Sequence, residues 1–157
     1  MLNYILTFLI SMVPIIELRG AIPYGLANGG DVVVVTLLSV IGNILPVPFL
    51  IIFGGKVLNW LAKFPKFGKP FRKILEMGEK KVAKMKSGAQ KALFWGLFIF
   101  VAIPLPGTGA WTGALIAITL GLKLRKSFLP IACGVISAGA IILTLYYTAY
   151  GVFEMLV

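Results

Sequence analysis

Residues 92–122, ALFWGLFIFVAIPLPGTGAWTGALIAITLGL, contain no ionisable side chain, yet Lys91 precedes the run and Lys123, Arg125 and Lys126 follow it. As unbroken helix it would measure about 47 Å at 1.5 Å per residue. The hydrocarbon core of a bilayer is about 30 Å thick, so the run is too long for one crossing and too short for two. Basic residues beside membrane spans stay on the cytoplasmic side. A run with basic clusters at both ends therefore has to enter and return, and Pro104, Pro106, Gly107 and Gly109 supply the place to turn. The sequence predicts a re-entrant helical hairpin. The competing arrangement, four plain spans, puts Lys123–Lys126 outside, against the charge rule.

The rest of the chain repeats this plan. Residues 1–30 are apolar but broken by Pro14, Gly20, Pro23 and Gly25, and residues 32–55 then form a long uncharged run. Residues 56–91 hold eleven of the fifteen basic residues. The broken segment 92–122 follows, and then a last apolar run over 127–153. Each half thus reads as a broken segment and a long helix, with Pro14 and Pro104 opening the breaks. Paired interruptions in two halves point to the binding site of a transporter. If the second hairpin enters from the cytoplasm, the first enters from the opposite face, bent over 14–25, and both termini lie outside. The expected fold is an all-α integral membrane protein of two inverted repeats, 1–55 and 92–157, joined by a basic cytoplasmic linker over 56–91. Within that linker Phe71, Ile74, Leu75, Gly78, Val82, Met85 and Ala89 recur at helical spacing, the mark of a basic amphipathic helix in the headgroup layer. Its basic face suits anionic lipid, or serves only to set topology.

Composition narrows the function. The chain is 59% hydrophobic and 13% charged, against about 25% charged in soluble domains, which excludes a soluble enzyme. The net charge of +10 sits beside the apolar runs, where topology accounts for it, so nucleic acid is not an expected partner. There is no histidine and one cysteine, Cys133, so no metal or other cofactor is expected, and no catalytic motif is present. Residues 1–16 lack a basic leader and are expected to stay in the mature protein.

The sharpest feature is ELRGAIP, Glu17 to Pro23. Each charge costs about 3 kcal/mol inside a membrane, and non-helical backbone at that depth needs protein or a wet cavity around it. An unwound stretch would point Glu17 and Arg19 the same way, into a cavity between the hairpins. There Arg19 would take an anionic group, and Glu17 a proton or cation. The pair could instead be an ion pair locking the halves, or lie at the outer interface. The second break offers Thr108, Thr112, the Trp111 indole and a helix N-terminus suited to an anionic headgroup. Gly107, Gly109 and Gly113 also suit close packing. Asn43, with Pro46 and Pro48, interrupts the first long helix and could reach the same cavity.

ELRGAIP, the glycine-rich stretch after it, the basic middle and Pro104-Leu-Pro-Gly-Thr-Gly109 resemble the small multi-drug export protein family of bacteria and archaea. The resemblance implies efflux of drugs. The architecture is also similar to the DedA and VTT-domain superfamily, which implies inverted re-entrant hairpins and movement of lipids such as polyprenyl phosphate. The first hairpin here has one acid where DedA proteins have more, and the second lacks their arginines. Phosphate recognition would then rest on Arg19 and backbone groups. The leading expectation is a transporter of an anionic, lipid-like amphiphile in a prokaryotic plasma membrane, coupled to protons and able to work as a homodimer. The alternatives are a cationic multidrug exporter using Glu17, and a structural or assembly protein that transports nothing.

Overall fold

The computed structural model describes residues 1–63 and 87–156, with Lys73 and Glu76 between them. Among the described residues there are seven helices and no strand: α1 (Leu2–Met12), α2 (Glu17–Ala27), α3 (Val32–Ile44), α4 (Pro46–Leu61), α5 (Ser87–Ala102), α6 (Ala110–Thr119) and α7 (Leu124–Leu156). The amphipathic helix expected in the basic linker falls almost wholly outside the described residues.

Two helices are long and apolar enough to cross a membrane, Val32–Trp60 and Leu124–Tyr150. The first is α3 and α4 end to end. Pro46 sits in the first turn of α4, where a missing amide is tolerated, and Leu45 between the helices keeps α-helical angles. Pro46 and Pro48 nevertheless deprive the carbonyls of Gly42 and Ile44 of their helical donors. Both rods are inside out by soluble standards. Val33, Leu37, Ile41, Phe49, Phe53 and Trp60 of the first stand exposed, as do Leu129, Ile136 and Leu145 of the second. Buried positions include Ser39, Asn43 and Ser127. Apolar exposure on this scale fits lipid and not water.

The first break is shorter than the sequence suggested. It spans residues 13–16, and α2 begins at Glu17, so Gly20 and Pro23 lie inside a helix and not in an unwound stretch. Val13 is extended (φ −74°, ψ 130°) because the residue before a proline is driven from the α region. Ile15 (φ 76°) and Glu17 (φ 50°) then take left-handed angles, uncommon for side chains of this kind. That reversal leaves Ile15 92% exposed while Glu17 is 3% exposed. Pro23 fits within α2 at the cost of one backbone bond, to the Arg19 carbonyl. The second break covers residues 103–109 and holds Pro104, Pro106, Gly107 and Gly109 as expected.

Helices α2 and α6 end alike. Gly29 (φ 74°) and Gly121 (φ 66°) are left-handed. The amides of Gly30 and Leu122 reach back to the carbonyls of Gly25 and Ala117, both at 2.9 Å. Those of Gly29 and Gly121 reach Leu26 and Ile118, both at 3.0 Å. This is the Schellman cap. One constant offset along the chain relates Pro14 to Pro106, Ala27 to Thr119, Gly29 to Gly121, and Val32 to Leu124. Packing follows the same offset: α1 lies along α3 as α5 lies along α7, and the second arms exchange, α2 touching α7 and α6 touching α4. One core joins them, with Leu18 and Ile22 of α2, Val47 and Ile51 of α4, Val101 of α5, Ala110 and Ala114 of α6, and Ile131 and Val135 of α7.

Candidate functional site

The left-handed turn at Glu17 aims its carboxylate across the molecule at the start of α6. Glu17 Oε1 accepts the backbone amide hydrogen of Trp111 at 3.1 Å. The first amides of a helix have no partner of their own, and α6 has no side-chain cap from Gly109. Glu17 therefore caps a helix more than ninety residues away in sequence. The helix N-terminus offered above to an anionic headgroup is occupied by the protein's own carboxylate.

Gly109 explains why the fit is so close. A Cβ built there would stand 2.1 Å from Glu17 Oε2, and the residue's φ is 125°. Both space and backbone angle demand glycine. Gly107 (φ 84°) has nothing within 4 Å and serves the turn alone. Gly113 is a packing glycine, its Cβ position 2.7 Å from Val101 Cγ2.

Arg19 reaches the other end of the same break. Nη2 donates to the Thr108 carbonyl at 2.6 Å and to Thr108 Oγ1 at 2.7 Å, and Nη1 donates to the Leu105 carbonyl. Thr108 Oγ1 is itself 2.7 Å from the Ile103 carbonyl and 2.8 Å from that of Leu105, and it accepts the Leu105 amide at 3.2 Å. The proline-interrupted turn thus gains donors that its own backbone cannot supply. Glu17 and Arg19 do not form an ion pair within the described residues; each is drawn separately to the second break. The Trp111 indole returns the contact, donating to the Met12 carbonyl at the end of α1 at 3.1 Å.

Glu17, Leu18, Arg19, Asn43, Val101, Gly109, Ala110, Val135 and Ala138 line a narrow crevice with no space for a water molecule. The offset that relates the halves pairs Glu17 with Gly109, Leu18 with Ala110, and Asn43 with Val135. The crevice is thus walled by corresponding positions of both halves. Asn43 is 1% exposed, and neither its Oδ1 nor its Nδ2 has a hydrogen-bond partner. Thr112, half-buried in the first turn of α6, does not line the crevice. The structure brings Glu17, Arg19 and Asn43 to the crevice, with Thr108 and Trp111 bonded to the first two.

The backbone partners, the carbonyls of Met12 and Leu105, carry no sequence signal. Ser39 was also missed. It is fully buried, its hydroxyl has no partner, and it stands one turn before Asn43. The signal was present, a polar residue four before Asn43 on the same helical face.

An apolar exterior over two long helices, with a charged hub inside, defines an α-helical membrane protein. The chain belongs to the family described as "putative small multi-drug export protein", whose model matches residues 17–141 and so begins at Glu17. No curated protein and no solved structure matches the chain.

Proposed function

We propose that the protein is a multi-pass exporter of amphiphilic cations in a prokaryotic plasma membrane, with Glu17 as the carboxylate that substrate and proton share. The observation that carries this reading is the placement of Glu17. It is a buried acid, it lines a crevice to which both halves of the chain contribute, and among the described residues a single backbone amide holds its carboxylate. An intramembrane ionisable residue is functional by default. The family's export label agrees.

The architecture behind it is two inverted repeats, each a re-entrant hairpin and a long helix, as in DedA-like proteins. The constant offset, the paired Schellman caps and the exchanged packing of α2 and α6 support it, together with basic residues on both flanks of 92–122. Transport would part the hairpins, breaking the contacts of Glu17 and Arg19 with the second break. A homodimer would add walls to a pathway that one chain encloses narrowly.

An anionic, lipid-like substrate is the second reading, supported by the partial exposure of Arg19 beside an apolar exterior. It ranks behind because such a substrate must take Arg19 from the carbonyls of Leu105 and Thr108, and it meets the Glu17 carboxylate at the helix end it would use. Efflux of a cationic dye and flipping of a fluorescent anionic lipid, measured in the same proteoliposomes, decide between them. Glu17→Gln is expected to abolish dye efflux. Lipid movement lost in Arg19→Ala but kept in Glu17→Gln would reverse the order. Flux of neither probe above that of protein-free liposomes, with both variants lowered only in yield, would leave a structural protein.

A further inference from the structure

We propose that Glu17 and Asn43 together form a proton-binding site, in which one carboxyl group has two resting places. This deepens the export reading by giving the shared proton's carboxyl group a second partner, and it rests on that reading only for the use made of the proton.

An ionised carboxylate is an acceptor and nothing else. It belongs where Glu17 is found, on an amide hydrogen at the positive end of a helix. Asn43 faces the same crevice with a donor and an acceptor, both buried and both unbonded. Buried polar side chains nearly always have a partner. In this arrangement the crevice is too narrow to hold a water molecule beside it. A group lining the crevice that offers a donor and an acceptor side by side would satisfy both atoms.

Protonated Glu17 is such a group. A carboxylic acid carries one O–H and one free carbonyl oxygen. Its O–H can donate to Asn43 Oδ1 while Asn43 Nδ2 donates to its carbonyl oxygen, and the two bonds close a planar ring. Neutralisation also removes the attraction to the α6 N-terminus. One proton, taken from the aqueous phase, therefore moves the side chain from Trp111 to Asn43 and uncaps α6. Release of that proton reverses the move. Arg19 is the other ionisable group lining the crevice, and its donors are held by Leu105 and Thr108. The walls from α5, α6 and α7 are Val101, Gly109, Ala110, Val135 and Ala138, none of which titrates. The offset places Gly109 opposite Glu17 and Val135 opposite Asn43, so the site occurs once per chain and binds one proton.

Proton-induced difference infrared spectra of the purified protein, without substrate, test this. Acidification is expected to produce a carboxylic-acid carbonyl band that is absent in Glu17→Gln. In Asn43→Leu the band is expected to move to the frequency of an acid with no hydrogen bond. Asn43→Leu replaces an unbonded buried amide with an apolar group of similar size and is expected to fold. An unmoved band in Asn43→Leu, or no band in the unaltered protein, would overturn the proposal. A second measurement needs no variant: after correction for intrinsic rate, the Trp111 amide is expected to exchange hydrogen faster once Glu17 is protonated. Unchanged protection would also overturn it. Loss of the export reading with these signals intact would leave the proton site standing.

Discussion

The first break, residues 13–16, opens into α2, whose first turn brings two charged side chains to the site, whereas the second, residues 103–109, holds no charge and answers with backbone and the Thr108 hydroxyl. Glu17 and Gly109 occupy corresponding positions, and one of them has a carboxylate where the other has no side chain at all. The two positions compete for the same space, so a side chain at one requires its absence at the other. That asymmetry leaves room for a single carboxylate between the two breaks. Asn43 and Val135 show the same division, polar in the first half and apolar in the second.

The largest effect is expected from filling that space. Gly109→Ala puts a methyl group into the Glu17 carboxylate and a side chain onto a φ of 125°. Strained backbone alone costs about 1–3 kcal/mol, and the collision adds to it. The loss of stability is expected to exceed about 3 kcal/mol, read as thermal unfolding in detergent. Adding Glu17→Gly is expected to recover the collision part and leave the strain. Gly107→Ala, in open space at a φ of 84°, is expected to cost only about 1 kcal/mol. Equal effects at the two glycines would mean that Glu17 does not press on Gly109.

Arg19→Ala comes next. It removes three hydrogen bonds from the second break; the Leu105 carbonyl keeps the Thr108 amide at 3.1 Å, while the Thr108 carbonyl loses its Arg19 donor. A bond to a charged group contributes about 1.5–3 kcal/mol when protected from water, and partial exposure reduces this, so the expected loss is about 2 kcal/mol in total. Arg19→Lys recovers part of it, since an ammonium group lacks the planar fork. The measurement that separates latch from substrate site is limited proteolysis near 103–109. Faster cleavage there, with the first break unchanged, is expected if Arg19 holds the turn.

These two variants also mark how far the sequence could be read. The helical class, the two long apolar rods and the second break were legible, because proline, glycine and charge act locally and leave a pattern. The relevance of Glu17 and Arg19 was legible too, from the cost of charge among apolar residues. The extent of the first break was not. Pro23 and Gly20 look like breakers, yet the packing of Leu18 and Ile22 into the core with Ile131 and Val135 keeps that segment helical. Apart from the Thr108 hydroxyl, the partners of the charges could not be read either, because Arg19 binds main-chain carbonyls and Glu17 binds a main-chain amide, groups that every residue possesses. The re-entrant geometry rests on the positions of lysines and arginines relative to a bilayer, which packing within the protein does not report.

The smallest expected effect tests the comparison at its most sensitive point. Ser39 and Ser127 are both fully buried serines on the long rods. Ser127 Oγ donates to the Lys123 carbonyl at 3.1 Å, while Ser39 Oγ has no partner. Ser127→Ala removes a hydrogen bond and is expected to cost about 1 kcal/mol. Ser39→Ala removes a hydroxyl that is buried without a bond, so it is expected to be neutral or to stabilise by up to about 1 kcal/mol. The offset sets Ser39 against Ile131, an apolar residue that is also fully buried, so an apolar side chain is the natural occupant of this position in the other half. Opposite signs in a denaturant or thermal series would confirm that the first rod keeps unpaired polar groups where the second does not. A clear destabilisation by Ser39→Ala would show that its hydroxyl finds a partner in the working protein. The polar surface facing the crevice would then extend a full turn beyond Asn43 along α3.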